Sequence, residues 1–238
     1  MSIDVIQVEQ RYPQLGRQMV HDSRSRLFTP KGLTVDRSTW HTKAIRIYDP
    51  TPNPNQAVGC CTGVAKAMQL NAAGNRNTRR VRPWSTRTSG VLDMVDAENI
   101  YHLNTIKDPW PGVWRPDDTG SSGLASAQTA QELGWGGEYN WLFGGADEVV
   151  QEIMRGNAVS VGTWWYEGMM NLYPTDTIYP TGEKVGGHQY LIRGYDASKD
   201  RLLGRCWWGI SYRDFHIQRS ALDDLLRDDG DAHTQRTL

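Results

Sequence analysis

The chain has 238 residues, 38% of them hydrophobic and including ten Trp and ten Tyr, which is enough apolar side chain for a sizeable core and predicts a single domain. Its net charge is −1 and its 26 basic residues are spread along the chain, densest at Arg24 to Arg26 and Arg79 to Arg82, which argues against a nucleic acid partner. The N-terminus carries neither a basic nor an apolar leader segment and no run approaches the roughly 18 apolar residues a spanning helix needs, so a soluble, cytoplasmic protein with no membrane partner is expected.

In chain order, the first fifty residues are polar apart from a short alternating run at Ala44 to Tyr48. They lead into DPTPNPNQ, whose prolines bar helix and regular strand and predict a rigid extended lead-in. From Cys61 onward Val64, Ala65 and Met68 share a helical stripe, and the pattern fades at Asn71. Residues 72 to 92, rich in Arg, Asn, Thr and Gly, predict an exposed loop, and Ala97, Ile100 and Tyr101 mark a second helix. Lys107 to Gly123 reads as another loop. Ser121 or Ser122 then caps a helix whose face carries Leu124, Ala127 and Gln131 and which Gly134 ends. Asp147 and Glu148 open a fourth helix with Val149, Val150, Ile153 and Met154 on its stripe and Gly156 as its stop. The strands follow: AVSVGTWWY, then Gln189 to Gly194, Arg201 to Trp208 and Phe215 to Gln218. A last helix is predicted from a capping box of Ser220 and Asp223. Helices before strands, without alternation, predict an α+β fold.

The chemistry concentrates in two stretches. QAVGCCTGVAKA places Cys61 at a Gly-rich turn running into a helix, where the helix N-terminus favours a thiolate, and GGHQYLIRGYD places His188 at the head of an apolar strand. Taken alone, the stripe that Cys61 shares with Val64, Ala65 and Met68 is that of a core residue, and the histidine motif is what turns the pair into a candidate nucleophile and base. Three cysteines, two of them adjacent, form no disulfide framework, so reactivity or burial must explain them; Cys60 reads as a small buried residue. His21, His41, His102, His216 and His233 have no motif around them and read as surface or loop residues, while turn or capping chemistry accounts for Asp117 and Asp118. Trp164, Trp165 and Trp207 read as core.

With these motifs the chain resembles the papain-like cysteine peptidases of bacteria and their phages over roughly residues 40 to 230. A glutamine (Gln56) precedes a small-residue turn (Gly59) and the cysteine (Cys61); much later a Gly-His strand (Gly187, His188) is followed, after the hairpin YDASKDR, by LLGRCWWG in place of the family's Asn-Ser-Trp-Gly strand. The resemblance implies one papain-like domain over 1–238, with an N-terminal extension and lead-in at 1–50, a helical lobe at 51–135 and a sheet-rich lobe at 136–238, the cysteine helix packed on a mainly antiparallel sheet. It implies a protein or peptide substrate, no cofactor and no metal. Cys61 would be the nucleophile and His188 the base and acid, Gln56 and the Cys61 N–H would stabilise the oxyanion, and Trp208 and Gly187 would face the substrate.

Two departures stand out. Gln56 lies five residues before Cys61, one fewer than the family spacing, and the family's orienting asparagine falls on Cys206, a poor hydrogen-bonding partner for an imidazole. Beside the peptidase stand two readings of other kinds and one variant of the same hydrolase chemistry. One is a papain-fold virion or host-interaction protein without turnover, placed in a virion or host cytoplasm if phage-encoded. The variant of the hydrolase reading is a cell-wall amidase of the NlpC/P60 type, which CCTG resembles although Cys60 stands in place of that family's aspartate. The third, a metal site from Cys61, His188 and Cys206, is disfavoured because adjacent cysteines chelate awkwardly.

Overall fold

The computed structural model describes residues 12–18, 22–30, 32–50, 54–72, 80–87, 90–172 and 176–237. Within them the helices come first. α1 (Cys61–Leu70) is buried along its whole length, α2 (Met94–Lys107) and α3 (Gly123–Glu132) pack beside it, and α4 (Ala146–Arg155) follows a strand, β2 (Gly136–Trp141). β3 (Val159–Tyr166), the long β4 (Lys184–Asp196), β5 (Arg201–Arg205) and β6 (Asp214–Gln218) form the body of the second half, before α5 (Arg219–Arg227) and β7 (Asp231–Thr237). With the short β1 (Lys43–Ala44) beside β4, they make one antiparallel sheet in the order β2-β7-β3-β4-β5-β6. The expected α+β architecture, a cysteine helix packed on a mainly antiparallel sheet, is what the chain adopts: α1 lies against β4 and β3.

Local chemistry explains most boundaries. α2 starts in a capping box in which Asp93 accepts from the Asp96 N–H and Asp96 accepts from the Asp93 N–H. α3 is capped by Ser122, whose side chain accepts from the Ala125 N–H. α4 stops at Gly156, which takes the left-handed conformation with φ of 93°. Among the described residues no helix is long and apolar enough to cross a membrane.

Several expectations need correction. No capping box opens α5: its cap is Gln218 without a side-chain bond, and Asp223 instead accepts from the Ala146 N–H, tying α5 to the start of α4. The Arg-rich stretch after α1 is not an exposed loop throughout. Residues 73–79, 88 and 89 lie outside the described residues, but Arg80 and Arg82 are buried, Arg80 donating to the Leu70 carbonyl that ends α1 and Arg82 pairing with Asp96 at 2.9 Å. Gln131 is exposed rather than on the buried face of α3. His21 also lies outside the described residues, but His233 is no surface residue: it is fully buried on β7, stacked on Trp141 at 4.5 Å and bonded to the buried Lys66 of α1. The strand containing Arg201 ends at Arg205, so Cys206 to Trp208 leave the sheet edge and turn toward the cysteine lead-in.

Candidate active site

Cys61 is the first residue of α1, and its sulfur is buried at 0% residue exposure. The turn before it is held by Asp118, which accepts from the Gly59 N–H at 2.9 Å and from the Tyr101 hydroxyl at 2.7 Å; Tyr101 in turn accepts from the Gly120 N–H. Asp118 thus does turn chemistry, as its residue type predicts, but for a turn distant in sequence. The lead-in runs antiparallel to the segment after β5: the Gln56 N–H donates to the Trp207 carbonyl, the Gly209 N–H to the Pro54 carbonyl, and Asn55 bridges Trp208. This pairing brings Gln56 and Trp208 to the same cleft, a cavity of about 480 Å³ lined also by Gln14, Met170, Leu172 and Tyr212.

His188 projects from β4 opposite Thr163 of β3 and is 1% exposed. Its ring is boxed by aromatic side chains: Trp208 at 4.4 Å, Trp165 at 4.8 Å edge-on and Tyr190 at 6.1 Å. Nε2 lies 3.2 Å from the Cys206 sulfur, and Nδ1 is buried with no hydrogen-bond partner. Cys206 is itself pinned by its neighbours, since Arg205 and Trp207 both donate to Asp49 and the Cys206 N–H donates to the Arg213 carbonyl. So Cys206 holds the ring nitrogen where the resemblance places an asparagine. No hydrogen bond joins the Cys61 sulfur to His188 among the described residues.

Burial dominates the protonation of this site. It pushes the Cys61 thiol up to about 11, against the opposing pull of the Gln189 and Gly16 backbone N–H groups at the sulfur and of Arg17. It also lowers His188 to about 3 and drives the Cys60 and Cys206 thiols well above their ordinary value. At neutral pH the site is therefore a neutral thiol and a neutral imidazole.

The cover over the site comes from the N-terminal part of the chain, a feature absent from any local motif. Residues 14–18 cross between the lobes: the Arg17 N–H donates to the Gly187 carbonyl at 3.1 Å, the Gln18 N–H to the Ser121 carbonyl, and the Ser121 N–H to the Gly16 carbonyl, both at 2.8 Å. The Gln56 amide donates to the Gln14 carbonyl at 2.8 Å and to the Val58 carbonyl at 2.8 Å. Gly16 lies so close to Gly59 that a Cβ on it would stand 1.7 Å from the Gly59 carbonyl oxygen. Among the described residues no group of three or more His, Cys, Asp and Glu side chains is placed to hold a metal ion.

No family model matches the sequence, and no curated protein matches it. Solved structures do match its fold. Xylellain, a cysteine protease from Xylella fastidiosa, superposes with a TM-score of 0.56 at 17% identity over 97% of this chain and 99% of its own. Procathepsin B S9 from Trypanosoma congolense does so with a TM-score of 0.50 at 12% identity, over 94% of this chain and 87% of its own. With its helical half, its antiparallel sheet and a cysteine helix packed between them, the chain has the papain-like cysteine protease fold.

Proposed function

We propose that the chain is a papain-like cysteine peptidase that cleaves peptide bonds with Cys61 as nucleophile and His188 as base and acid. The observation that carries this reading is the state of the His188 ring: Nε2 is engaged by Cys206 at 3.2 Å, which leaves Nδ1, buried and without a partner, to take a proton. An orphaned ring nitrogen in a dry aromatic box costs stability, and a role in the reaction gives a reason to keep it. For Nδ1 to accept, Nε2 must carry the hydrogen and donate it to the Cys206 sulfur.

The steps follow from that tautomer. The Cys61 thiol gives its proton to Nδ1 and the thiolate adds to the substrate carbonyl carbon; the C–N bond breaks as Nδ1–H protonates the leaving amine, leaving a thioester on Cys61. Water, deprotonated by Nδ1, then adds to the thioester, and the acid departs as Cys61 regains its proton. The Gln56 amide and the Cys61 N–H are the oxyanion donors in this scheme, each contributing roughly 2.7 to 4 kcal/mol to the transition state. Gln56 fits the role because its amide already donates to a peptide carbonyl in the cleft, that of Gln14. Trp208 shields the ring from water, and the Gly187 carbonyl binds substrate backbone, as it binds the Arg17 N–H.

Hydrolysis of an unfolded protein such as reduced, alkylated casein tests the proposal, with Cys61→Ala and His188→Ala as blanks. Turnover present in wild type and absent from both variants supports it, and equal traces in all three refute it. A second reading is a papain-fold binding protein without turnover, of phage origin and acting in a virion or on a host. What favours it is Cys206 in place of the orienting asparagine, together with the missing hydrogen bond between Cys61 and His188.

A further inference from the structure

Lys66 is a nucleophilic side chain that the proposed mechanism does not use, and it is 0% exposed on α1, the helix that Cys61 opens. Its hydrogen-bond partners are two amide oxygens and an imidazole nitrogen rather than a carboxylate. Nζ lies 2.7 Å from Gln69 Oε1, 2.7 Å from Gln235 Oε1 and 3.3 Å from His233 Nε2. Burial lowers Lys66 to about 7, so near neutral pH a large share of it is the free amine, whose lone pair can attack a carbonyl carbon.

Gln235 of β7 presents such a carbon. Its Nε2 donates to the Ala127 carbonyl at 2.9 Å and to the Gly137 carbonyl at 3.3 Å, which fixes the amide plane and turns Oε1 toward Lys66. The amide lies against Gly136 of β2, where a Cβ would stand 2.6 Å from the amide carbon, so a larger residue there would push the side chain away. His233 stands two residues before Gln235 and therefore on the same face of β7, beside the amide and the amine together. Burial keeps its imidazole neutral, and the Trp141 ring stacked on it at 4.5 Å holds Nε2 toward Nζ. All three side chains are buried between the lobes, which keeps water, the competing nucleophile, from the amide.

We propose that Lys66 and Gln235 join in an isopeptide bond that the folded chain makes by itself, with His233 as base and acid, stapling α1 to the last strand of the sheet. Lys66 Nζ adds to the Gln235 amide carbon while one of its protons passes to His233 Nε2. The same ring nitrogen gives that proton to the Gln235 amide nitrogen, the carbon–nitrogen bond breaks and ammonia leaves. An amine and a primary amide thus become one secondary amide plus ammonia, with no oxidant or other co-reactant. Escape of the ammonia makes the step one-way. Cys61 takes no part, so the bond forms whether or not the chain is a peptidase.

The test is mass spectrometry of the wild-type full chain, incubated folded at pH 8 and then denatured. The mass should fall below that of the sequence by one ammonia per chain. A tryptic digest should yield a branched peptide joining Lys66 to Gln235, with no cut after Lys66. Cys61→Ala should carry the same link, whereas Lys66→Met, Gln235→Glu and His233→Gln should each lack it. The wild-type measurement decides by itself, so a variant that fails to fold leaves the test intact. Full sequence mass in folded wild type overturns the proposal, and so does a loss of ammonia that maps to Gln69 or to any pair other than Lys66 and Gln235. A link present in wild type but absent from Cys61→Ala overturns it as well, because the thiol rather than His233 would then have made the bond.

Discussion

His188 Nε2 and the Cys206 sulfur lie 3.2 Å apart, so the second half of the chain holds its histidine with a thiol. A thiol sulfur accepts a hydrogen bond weakly, and the ring orientation depends instead on the packing of Trp208, Trp165 and Tyr190 around it. Wild-type hydrolysis of generic peptides is accordingly expected to be slow. Cys206→Asn should keep the fold and, by strengthening this bond by ~1 kcal/mol, raise kcat about fivefold. Steady-state kinetics against a Cys61→Ala blank decide it. A fast wild-type enzyme that loses activity in Cys206→Asn would make Cys206 itself catalytic.

Cys60, Cys61 and Cys206 are all buried, but they differ in what buries them. Cys60 and Cys206 lie within the main apolar core, Cys206 beneath His188, whereas Cys61 has the backbone of Gly16 at its sulfur. Opening of a short segment costs less than opening a core, so Cys61 is expected to be alkylated first. Brief iodoacetamide treatment and peptide mapping check the order, and uniform slow labelling of all three would remove Cys61 as nucleophile.

Asp118 supports the turn that presents Cys61 through bonds to Gly59 and Tyr101. Both partners are donors, so Asp118→Asn satisfies only one of them and Asp118→Ala neither. Asp118→Ala should cost about 1 to 2 kcal/mol in urea unfolding and lower kcat more than it raises KM, with Asp118→Asn in between.

Two buried histidines contribute to the response to acid. Burial lowers His188 to about 3 and His233 well below 6.5, with the Lys66 charge adding to the effect on His233. Below 6.5 these two side chains bind protons in the unfolded chain but not in the native one, so the stability tied to them is full above about 6.5 and falls as pH drops toward 3. Each histidine contributes a slope of about 1.4 kcal/mol per pH unit in that window. His233→Gln should reduce the slope of unfolding free energy between pH 6 and 4.5 by one such contribution; an unchanged slope would mean His233 is charged or solvated in the native protein.

The residues that announced themselves in the sequence did so through punctuation and stripe. α4 shows acidic residues, an apolar face and a terminal glycine in order, and α1 shows a stripe ending at Asn71. β7 carries no apolar alternation because most of its buried residues are polar: His233, Thr234 and Gln235 are buried by pairing with β2 and by hydrogen bonds to α1 and α3, while β2 sets only Tyr139 and Trp141 among glycines and polar residues. The Cys and Gly-His motifs located the candidate site. Its cover did not show, because the contact of Arg17 with Asp231 joins the two ends of the chain and depends on the absence of a side chain at Gly162. The spacing of Gln56 reads as a departure, and the pairing of the lead-in with Trp207 to Gly209 still brings its amide to a peptide carbonyl.

The account turns on a covalent step at one sulfur. Acid quenching of the full-length protein mixed with excess peptide, followed by intact-mass and fragment analysis, reads that step directly. The account predicts an adduct equal in mass to the N-terminal part of the cleaved peptide, carried as a thioester on Cys61 and absent from Cys61→Ala. No adduct, together with the same peptide hydrolysis in both proteins, would contradict it.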